Sequence, residues 1–347
     1  LFKRIMQKLI DQQTLTLQEA VDCMEKILNR TWTDAQIGAF LAALAAKGEK
    51  REEILGMLHV MRENMVRVYV SENVVDICGT GGDGIGSFNT STAAALVASA
   101  AGAKVAKCGN RSSSSSCGSA DLLEAAGVRI ELTPDEVGRW LSECGFAFLF
   151  TPQFHPALRN LAPLRRELGI RTALNLLGPL GNPVRPRRQL LGVSHRELAP
   201  LYAEILLQSG TEHAMVVHGL DGMDEISLSA PTEVYEIRAG ALTTSLIEPE
   251  SLGLSYAAHD DIKGGDASYN RDMLAALFGG ERGPVRDIVC LNAGAALVIS
   301  GIAVDLKEGL HIAADTIDSG AAKSKLAELV NRSGRTPKGE KRDVYAR

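Results

Sequence analysis

The chain has 347 residues, 45% of them hydrophobic and 23% charged, with a formal net charge of −5. That length is ample for a large core and is a prior for about two domains. The acidic balance argues against a bulk electrostatic grip on nucleic acid, leaving only a local basic patch, and no apolar run reaches the roughly 18 residues that span a bilayer.

Residues 1–70 read as a helical domain. Residues 2–11 are amphipathic and give no sign of a signal peptide. Thr16 followed by Glu19, and Thr33 followed by Gln36, are placed as capping boxes at two helix starts. Ile37, Phe40, Leu41 and Leu44 then recur at helical spacing, as do Ile54, Leu58 and Met61. The pattern changes at residues 74–78, a short β-type run; 104–107, 146–150 and 214–218 are three more. Strands separated by helical stretches, such as the Ala-rich 93–103, predict an α/β fold: a mostly parallel central sheet flanked by helices. Residues 160–185 contain a helical run at 161–168 and a breaker-rich connection at 178–183. This segment is expected to cross back toward the helical block, so that 71–159 and 186–347 form the α/β domain and the site lies in the cleft. The polar stretch after Asn331 is expected to fray. Cysteines 23, 78, 108, 117, 144 and 290 show no CxxC or Cys/His zinc spacing and read as reduced thiols of a cytoplasmic protein. The same argument weighs against a Cys108–Cys117 disulfide.

Two glycine- and serine-rich loops about twenty residues apart carry the chemistry. The first runs Gly79-Thr80-Gly81-Gly82-Asp83-Gly84 into Ser87, Asn89, Ser91 and Thr92. Glycines let backbone N–H groups approach a phosphate, and the helix starting near Asn89–Ser91 adds its dipole. It is neither a Walker loop nor the dinucleotide spacing. The second runs Lys107-Cys108-Gly109-Asn110-Arg111 through five serines, 112–116, to Gly118-Ser119, with Ser119 expected to cap the next helix. Lys107, at a strand end, is a natural phosphate cation. Two such loops can wrap one phosphate or pyrophosphate. A third element, residues 218–225, ends in Asp224-Glu225; alone it reads as a solvated turn, but beside a pyrophosphate it suits Mg²⁺ shared with the substrate. In the fourth, residues 150–169, Arg165 or Arg166 can pair with a carboxylate and His155 can face an aromatic ligand; surface arginines at a helix start are an equally good reading.

The ordered set GTGGDG, SFNTST, KCGNR with its serine-rich continuation and GSAD, the run from His155 to Pro183, and HGLDGMDE resembles anthranilate phosphoribosyltransferases. These are the tryptophan-pathway members of the class III phosphoribosyltransferases, and the resemblance spans essentially the whole chain. It implies that anthranilate and 5-phosphoribosyl pyrophosphate give phosphoribosylanthranilate and pyrophosphate, with two Mg²⁺ ions bound alongside the substrate. By similarity, Gly79, Thr80, Gly82, Asp83, Ser87, Asn89, Ser91, Thr92, Lys107 and Ser119 would bind phosphoribosyl pyrophosphate. Ser91, Asp224 and Glu225 would hold metal, and Lys107, Asp224 and Glu225 would be the catalytic set. Gly79, Asn110, His155, Arg165 and Gly178 would line the anthranilate route, with Arg165 taking the carboxylate. The aryl amine is neutral at pH 7, so positioning and charge neutralisation on the leaving group suffice, without a strong base or a covalent nucleophile. The resemblance further implies a cytoplasmic homodimer joined through the helical domain, with neither nucleic acid nor membrane as partner. Two positions depart from the family pattern: Cys108 where it usually has His, and Ser116 where it usually has Lys. Both lead one to expect altered substrate affinity or amine preference. A pyrimidine nucleoside phosphorylase shares the architecture, but Asp224-Glu225 and the paired loops argue against it. A non-catalytic, nucleic-acid-binding relative would be expected to lose the loops and gain basic surface.

Overall fold

The computed structural model describes residues 1–71, 73–112 and 116–334. Serines 113–115 of the second loop and the tail from 335 onward, on which the expectation of fraying mostly falls, lie outside the described residues. Four helices lead the chain: α1 (Phe2–Ile10), α2 (Leu17–Leu28), α3 (Asp34–Lys47) and α4 (Arg51–Glu63). Both expected capping boxes form. The Glu19 N–H donates to Thr16 Oγ1 at 3.2 Å while the Thr16 N–H donates to the Glu19 carboxylate at 3.0 Å, and Thr33 and Gln36 repeat the exchange. Glu53, fully buried, ties the bundle together by accepting the Leu15 and Lys50 N–H groups at 2.8 Å and the Lys47 ammonium at 3.0 Å.

Seven strands follow: β1 (Val74–Gly79), β2 (Lys104–Gly109), β3 (Phe146–Phe150), β4 (Arg188–Gly192), β5 (His213–Gly219), β6 (Thr232–Arg238) and β7 (Ala241–Ile247). They form one sheet in the order β3-β2-β1-β4-β5-β6-β7, parallel from β3 to β5 and antiparallel beyond. The four strands expected from sequence are present. Three went unread: β4 has only two apolar residues before its terminal glycine, β6 interleaves glutamates with its apolar positions, and β7 is an edge strand exposed along nearly its whole length, so it carries no alternation.

Helices α5 (Thr90–Ala100), α6 (Ser119–Ala125) and α7 (Pro134–Cys144) connect the first three strands. Between β3 and β4 come α8 (Thr151–Phe154), α9 (Pro156–Arg159), α10 (Ala162–Leu168) and α11 (Ala173–Leu177), and α12 (Ala199–Gln208) precedes β5. The chain closes with α13 (Ala267–Phe278), α14 (Pro284–Ser300), α15 (Leu306–Asp318) and α16 (Ala321–Ser333). The sheet partitions two cores. Ile77, Leu190, Met215 and Val217 face α5 and α14 on one side; their strand neighbours Cys78, Leu191, Ala214 and Val216 join the core of α1–α4 on the other. Leu161, Leu164, Leu174 and Leu177, from α10, α11 and their approach, belong to that second core.

One expected cap is corrected. Ser119 is the first residue of α6, and its hydroxyl donates to the Asn110 carbonyl instead. The Asp121 carboxylate serves the helix start, accepting the Gly118 and Ser112 N–H groups, both at 2.9 Å. An ionised carboxylate accepts these N–H groups more strongly than a neutral hydroxyl would. All six cysteines are thiols. No helix among the described residues is long and apolar enough to cross a membrane.

Candidate active site

The chain winds outward from β1 in both directions, β2 and β3 on one side and β4 on the other, so a crevice opens at the C-terminal ends of β1 and β4. β1, β4 and β5 all end on glycine. A Cβ at Gly79 would lie 2.4 Å from Asp224 Oδ2, one at Gly192 only 1.7 Å from the Asp224 carbonyl oxygen, and one at Gly219 2.4 Å from Asp221 Oδ1. Three missing side chains therefore make room for the acidic loop to lie across the strand ends. The glycine loop meets it there. The Gly81 N–H donates to Asp224 Oδ2 at 2.6 Å, and Gly81, Gly82, Gly84 and Gly86 all have φ between 69° and 79°, a left-handed conformation other residues rarely hold. Thr80 is pinned by β4: its N–H donates to the Gly192 carbonyl, and its hydroxyl accepts the Ser194 N–H at 3.0 Å. Asp83 Oδ1 accepts the Ile85 N–H.

Glu225 Oε1 accepts the Ser91 N–H at 3.0 Å, placing a carboxylate at the start of α5, where the helix dipole favours it. Lys107 is almost wholly buried beneath this junction, its ammonium donating to the Ile77 carbonyl at 2.6 Å and to Ser91 Oγ at 3.1 Å. Asp224 and Glu225 are both pushed well above the ordinary carboxylate range. Burial is the largest cause; Asp83 adds repulsion at Asp224, Asp224 adds it at Glu225, and the Lys107 charge opposes the rise at Glu225. Among the described residues no three His, Cys, Asp or Glu side chains gather into a closed metal site. The donors present are hard oxygens, two carboxylates and the Ser91 hydroxyl, and the carboxylates are short of positive charge. This fits a cation that completes its shell with substrate phosphates and water, as Mg²⁺ does. Thr92 is buried with its hydroxyl unpartnered, another donor in the first turn of α5.

The second loop is joined to the first by Asn89, whose Nδ2 donates to the Cys117 carbonyl at 3.0 Å. Asn110 shapes its own turn, Oδ1 accepting the Arg111 N–H at 2.8 Å. Arg111 is committed to Glu124 and Asp121. Cys108 sits 3.5 Å from Thr151 Oγ1, its thiol pushed up to about 12 by burial. Ser87 bridges to Lys263, and Ser116 is exposed.

Toward the bundle, His155 is buried with Nε2 2.7 Å from the Gly181 carbonyl. A carbonyl only accepts, so Nε2 carries the hydrogen, and burial keeps the ring on the neutral side of its ordinary range. Arg165 is half-buried; its guanidinium has neither ion pair nor hydrogen bond among the described residues, and burial lowers its pKa. Gly178 is exposed, with nothing within 4 Å of where a Cβ would stand. Gly79, Ser91, Lys107, Asp224 and Glu225 thus interlock directly, with Thr80 pinned to Gly192 and Ser194 beside them, whereas Arg165 and Gly178 make no hydrogen bond to them.

Sequence reasoning missed four participants. Gly192 ends the unread β4, and Ser194 lies two residues beyond it. Asp76, fully buried, accepts the Cys108 N–H at 3.2 Å; a lone carboxylate inside the apolar run of β1 was its signal. Asn270 lies far along the chain and reaches the first loop through Asn89 at 2.8 Å.

Residues 71–323 match the Glycosyl transferase family, a/b domain, and residues 3–65 the Glycosyl transferase family, helical bundle domain. The anthranilate phosphoribosyltransferase of Chloroflexus aggregans is 50% identical, with 92% of this chain and 95% of that protein covered. That of Thermomicrobium roseum is 49% identical over 94% and 95%. Among solved structures, the Thermus thermophilus enzyme superposes with a TM-score of 0.89 at 41% identity, covering 95% of this chain and 99% of that one. The Saccharomyces cerevisiae enzyme, in complex with PRPP and Mg, gives 0.88 at 29% identity over 96% and 98%. The two-core architecture, the acidic loop docked on a glycine loop, and this degree of likeness over nearly the whole chain agree: the chain belongs to the anthranilate phosphoribosyltransferase family.

Proposed function

We propose that this cleft transfers the phosphoribosyl group of 5-phosphoribosyl pyrophosphate to the amine of anthranilate, releasing pyrophosphate, in tryptophan biosynthesis. The observation that carries this reading is the junction of Gly81 with Asp224 and of Ser91 with Glu225, which sets a carboxylate pair against a phosphate-cradling loop at the sheet's switch point. The donor set is Gly79, Thr80, Gly82, Asp83, Ser87, Asn89, Ser91, Thr92, Lys107 and Ser119. Glycine-loop N–H groups and the hydroxyls of Thr80, Ser91 and Thr92 orient the pyrophosphate. Lys107 adds fixed positive charge below it, in a site where buried charge acts strongly. Asp224, Glu225 and Ser91 would hold Mg²⁺, two ions in our reading, and the metal would neutralise charge on the departing pyrophosphate. On the acceptor side, Arg165 would take the carboxylate, with Gly79, Asn110, His155 and Gly178 as the walls. The substrate's amine needs no base, so the protein's task is to hold nitrogen against the anomeric carbon.

Consumption of anthranilate fluorescence in the presence of phosphoribosyl pyrophosphate and Mg²⁺ tests this. Turnover should appear, and Asp224→Asn/Glu225→Gln should cut it by about 100-fold or more. A folded protein without turnover, or a double variant as active as the parent, would overturn the reading. We place the enzyme in the cytoplasm, consistent with six thiols, as a dimer through the helical bundle. Leu1, Ile10 and Leu17, 47%, 65% and 44% exposed, offer an apolar surface there. Analytical ultracentrifugation should give twice the chain mass; a monomer throughout the micromolar range would rule the dimer out.

A further inference from the structure

The segment from His259 to α13 touches every loop of the donor site. His259 Nε2 lies 2.8 Å from Asp221 Oδ2, which also accepts the Ser227 hydroxyl at 2.7 Å, so one end is tied to the acidic loop. Further along, the Phe88 N–H donates to the Ile262 carbonyl and the Gly264 N–H to the Gly86 carbonyl, both at 2.9 Å, with Ser87 paired to Lys263 between them. The glycine loop is thus laced to this segment over three residues. At its far end is Asn270, 1% exposed. Asn270 Oδ1 accepts the Gly265 N–H at 2.7 Å, its Nδ2 donates to Asn89 Oδ1 at 2.8 Å, and Asn89 Nδ2 donates to the Cys117 carbonyl of the second loop at 3.0 Å.

The direction of this relay is fixed by its ends. A backbone N–H only donates and a carbonyl only accepts, so both side-chain amides between them can point one way only. Asn89 stands at the N-cap of α5, where an asparagine ordinarily bonds the helix's own N–H groups, yet its side chain makes no such cap. Asn270 holds it out to span the two loops.

We propose that residues 259–270 form a strap that registers the three donor loops, and that Asn270 is a positioning residue for phosphoribosyl pyrophosphate, acting through Asn89. The proposal rests on the reading of the first loop as the donor site.

Asn270→Asp tests it by keeping the shape and replacing the donor facing Asn89 with an acceptor. Asn89 must then turn, which sets its own oxygen against the Cys117 carbonyl. The KM for phosphoribosyl pyrophosphate should rise about tenfold or more, the scale of one buried polar mismatch. The kcat at saturating donor and the KM for anthranilate should stay within about twofold, a split that general loosening would not give. In an Asn89→Ala background, which itself raises the donor KM, adding Asn270→Asp should change little, because the two act as one unit. Asn270→Ser, too short to reach Asn89, should reproduce the KM shift and decides the matter if the first variant does not fold. An unchanged donor KM in Asn270→Asp, or the same further rise on top of Asn89→Ala, overturns the strap while leaving the donor site intact. An Asn89→Ala enzyme with an unchanged donor KM overturns both.

Discussion

Gly192 is a residue whose identity is dictated by one atom. With the Asp224 carbonyl oxygen 1.7 Å from its would-be Cβ, even a methyl group must displace the acidic loop or the end of β4. Gly192→Ala should lower stability by about 1–3 kcal/mol, the usual cost of overpacking, and remove most activity; a urea melt with parental midpoint would contradict the packing argument. Asp224 and Glu225 present the opposite case, side chains whose chemistry strains the fold. Both carboxyls are raised, so between their ordinary and raised values the folded chain holds protons the unfolded chain has released. Stability from this source is full at low pH and falls as pH rises through that window. In metal-free protein, Asp224→Asn/Glu225→Gln should therefore raise the urea midpoint near pH 8 and flatten its decline from about pH 5 to about pH 8 relative to the parent. If the double variant is the less stable at pH 8, the strain is absent. The raised thiol of Cys108 bears on the family departure at that position: a group pushed up to about 12 is not a nucleophile at neutral pH, so its effect on the amine is one of size and polarity.

Elements differ in how much of themselves they announce. The caps at Thr16 and Thr33 were legible because a hydroxyl and a carboxylate or amide three positions apart satisfy helix N–H groups locally, with no help from the rest of the chain. The start of α6 was misread because Gly118, not Ser119, is its N-cap, and Asp121 closes the start from inside by accepting the Gly118 N–H. β4 and β7 escaped notice because central burial and edge exposure, not alternation, define them, and β6 because its interleaved glutamates masked its few apolar positions. Within the bundle, the Lys47–Glu53 pair is the costliest contact to break: both side chains are almost fully buried, and Glu53 also holds two backbone N–H groups. Lys47→Met alone should cost about 3 kcal/mol or more by leaving a buried carboxylate uncompensated, and Lys47→Met/Glu53→Leu should recover part of it. Chemical denaturation of the four-member cycle checks this; equal loss in the single and double variants would show that the pair's electrostatics do not matter.

At the scale of the whole molecule, the first four helices do not own their core. Leucines from α10 and α11 and the residues Cys78, Leu191 and Val216 of the sheet complete it. Residues 1–70 expressed alone should accordingly show no cooperative thermal transition by circular dichroism; a sharp one would mean the bundle is self-sufficient. The same long-range completion explains how far the site could be read. The two loops and Asp224-Glu225 are contiguous motifs, and their chemistry shows in residue type and spacing. Their mutual contact, Gly81 to Asp224 and Ser91 to Glu225, spans more than a hundred residues and depends on a strand order that spacing does not encode. Asn270 carries no motif, and Asp76 shows only as a lone carboxylate in an apolar strand; what each touches is visible only in the folded chain.

The sheet that separates the two cores would, on the proposed assignment, also divide the labour of recognition. The glycine and acidic loops cap its strands, while Arg165 sits on α10, packed with the bundle, and His155 lies between α8 and α9. On the proposed assignment, the acceptor's carboxylate partner and imidazole wall can change in the bundle layer, while Gly79 and Asn110, shared with the donor loops, cannot. If those roles hold, a new nucleophile asks for a changed wall at Arg165 and His155, whereas a new leaving group asks for a rebuilt crevice.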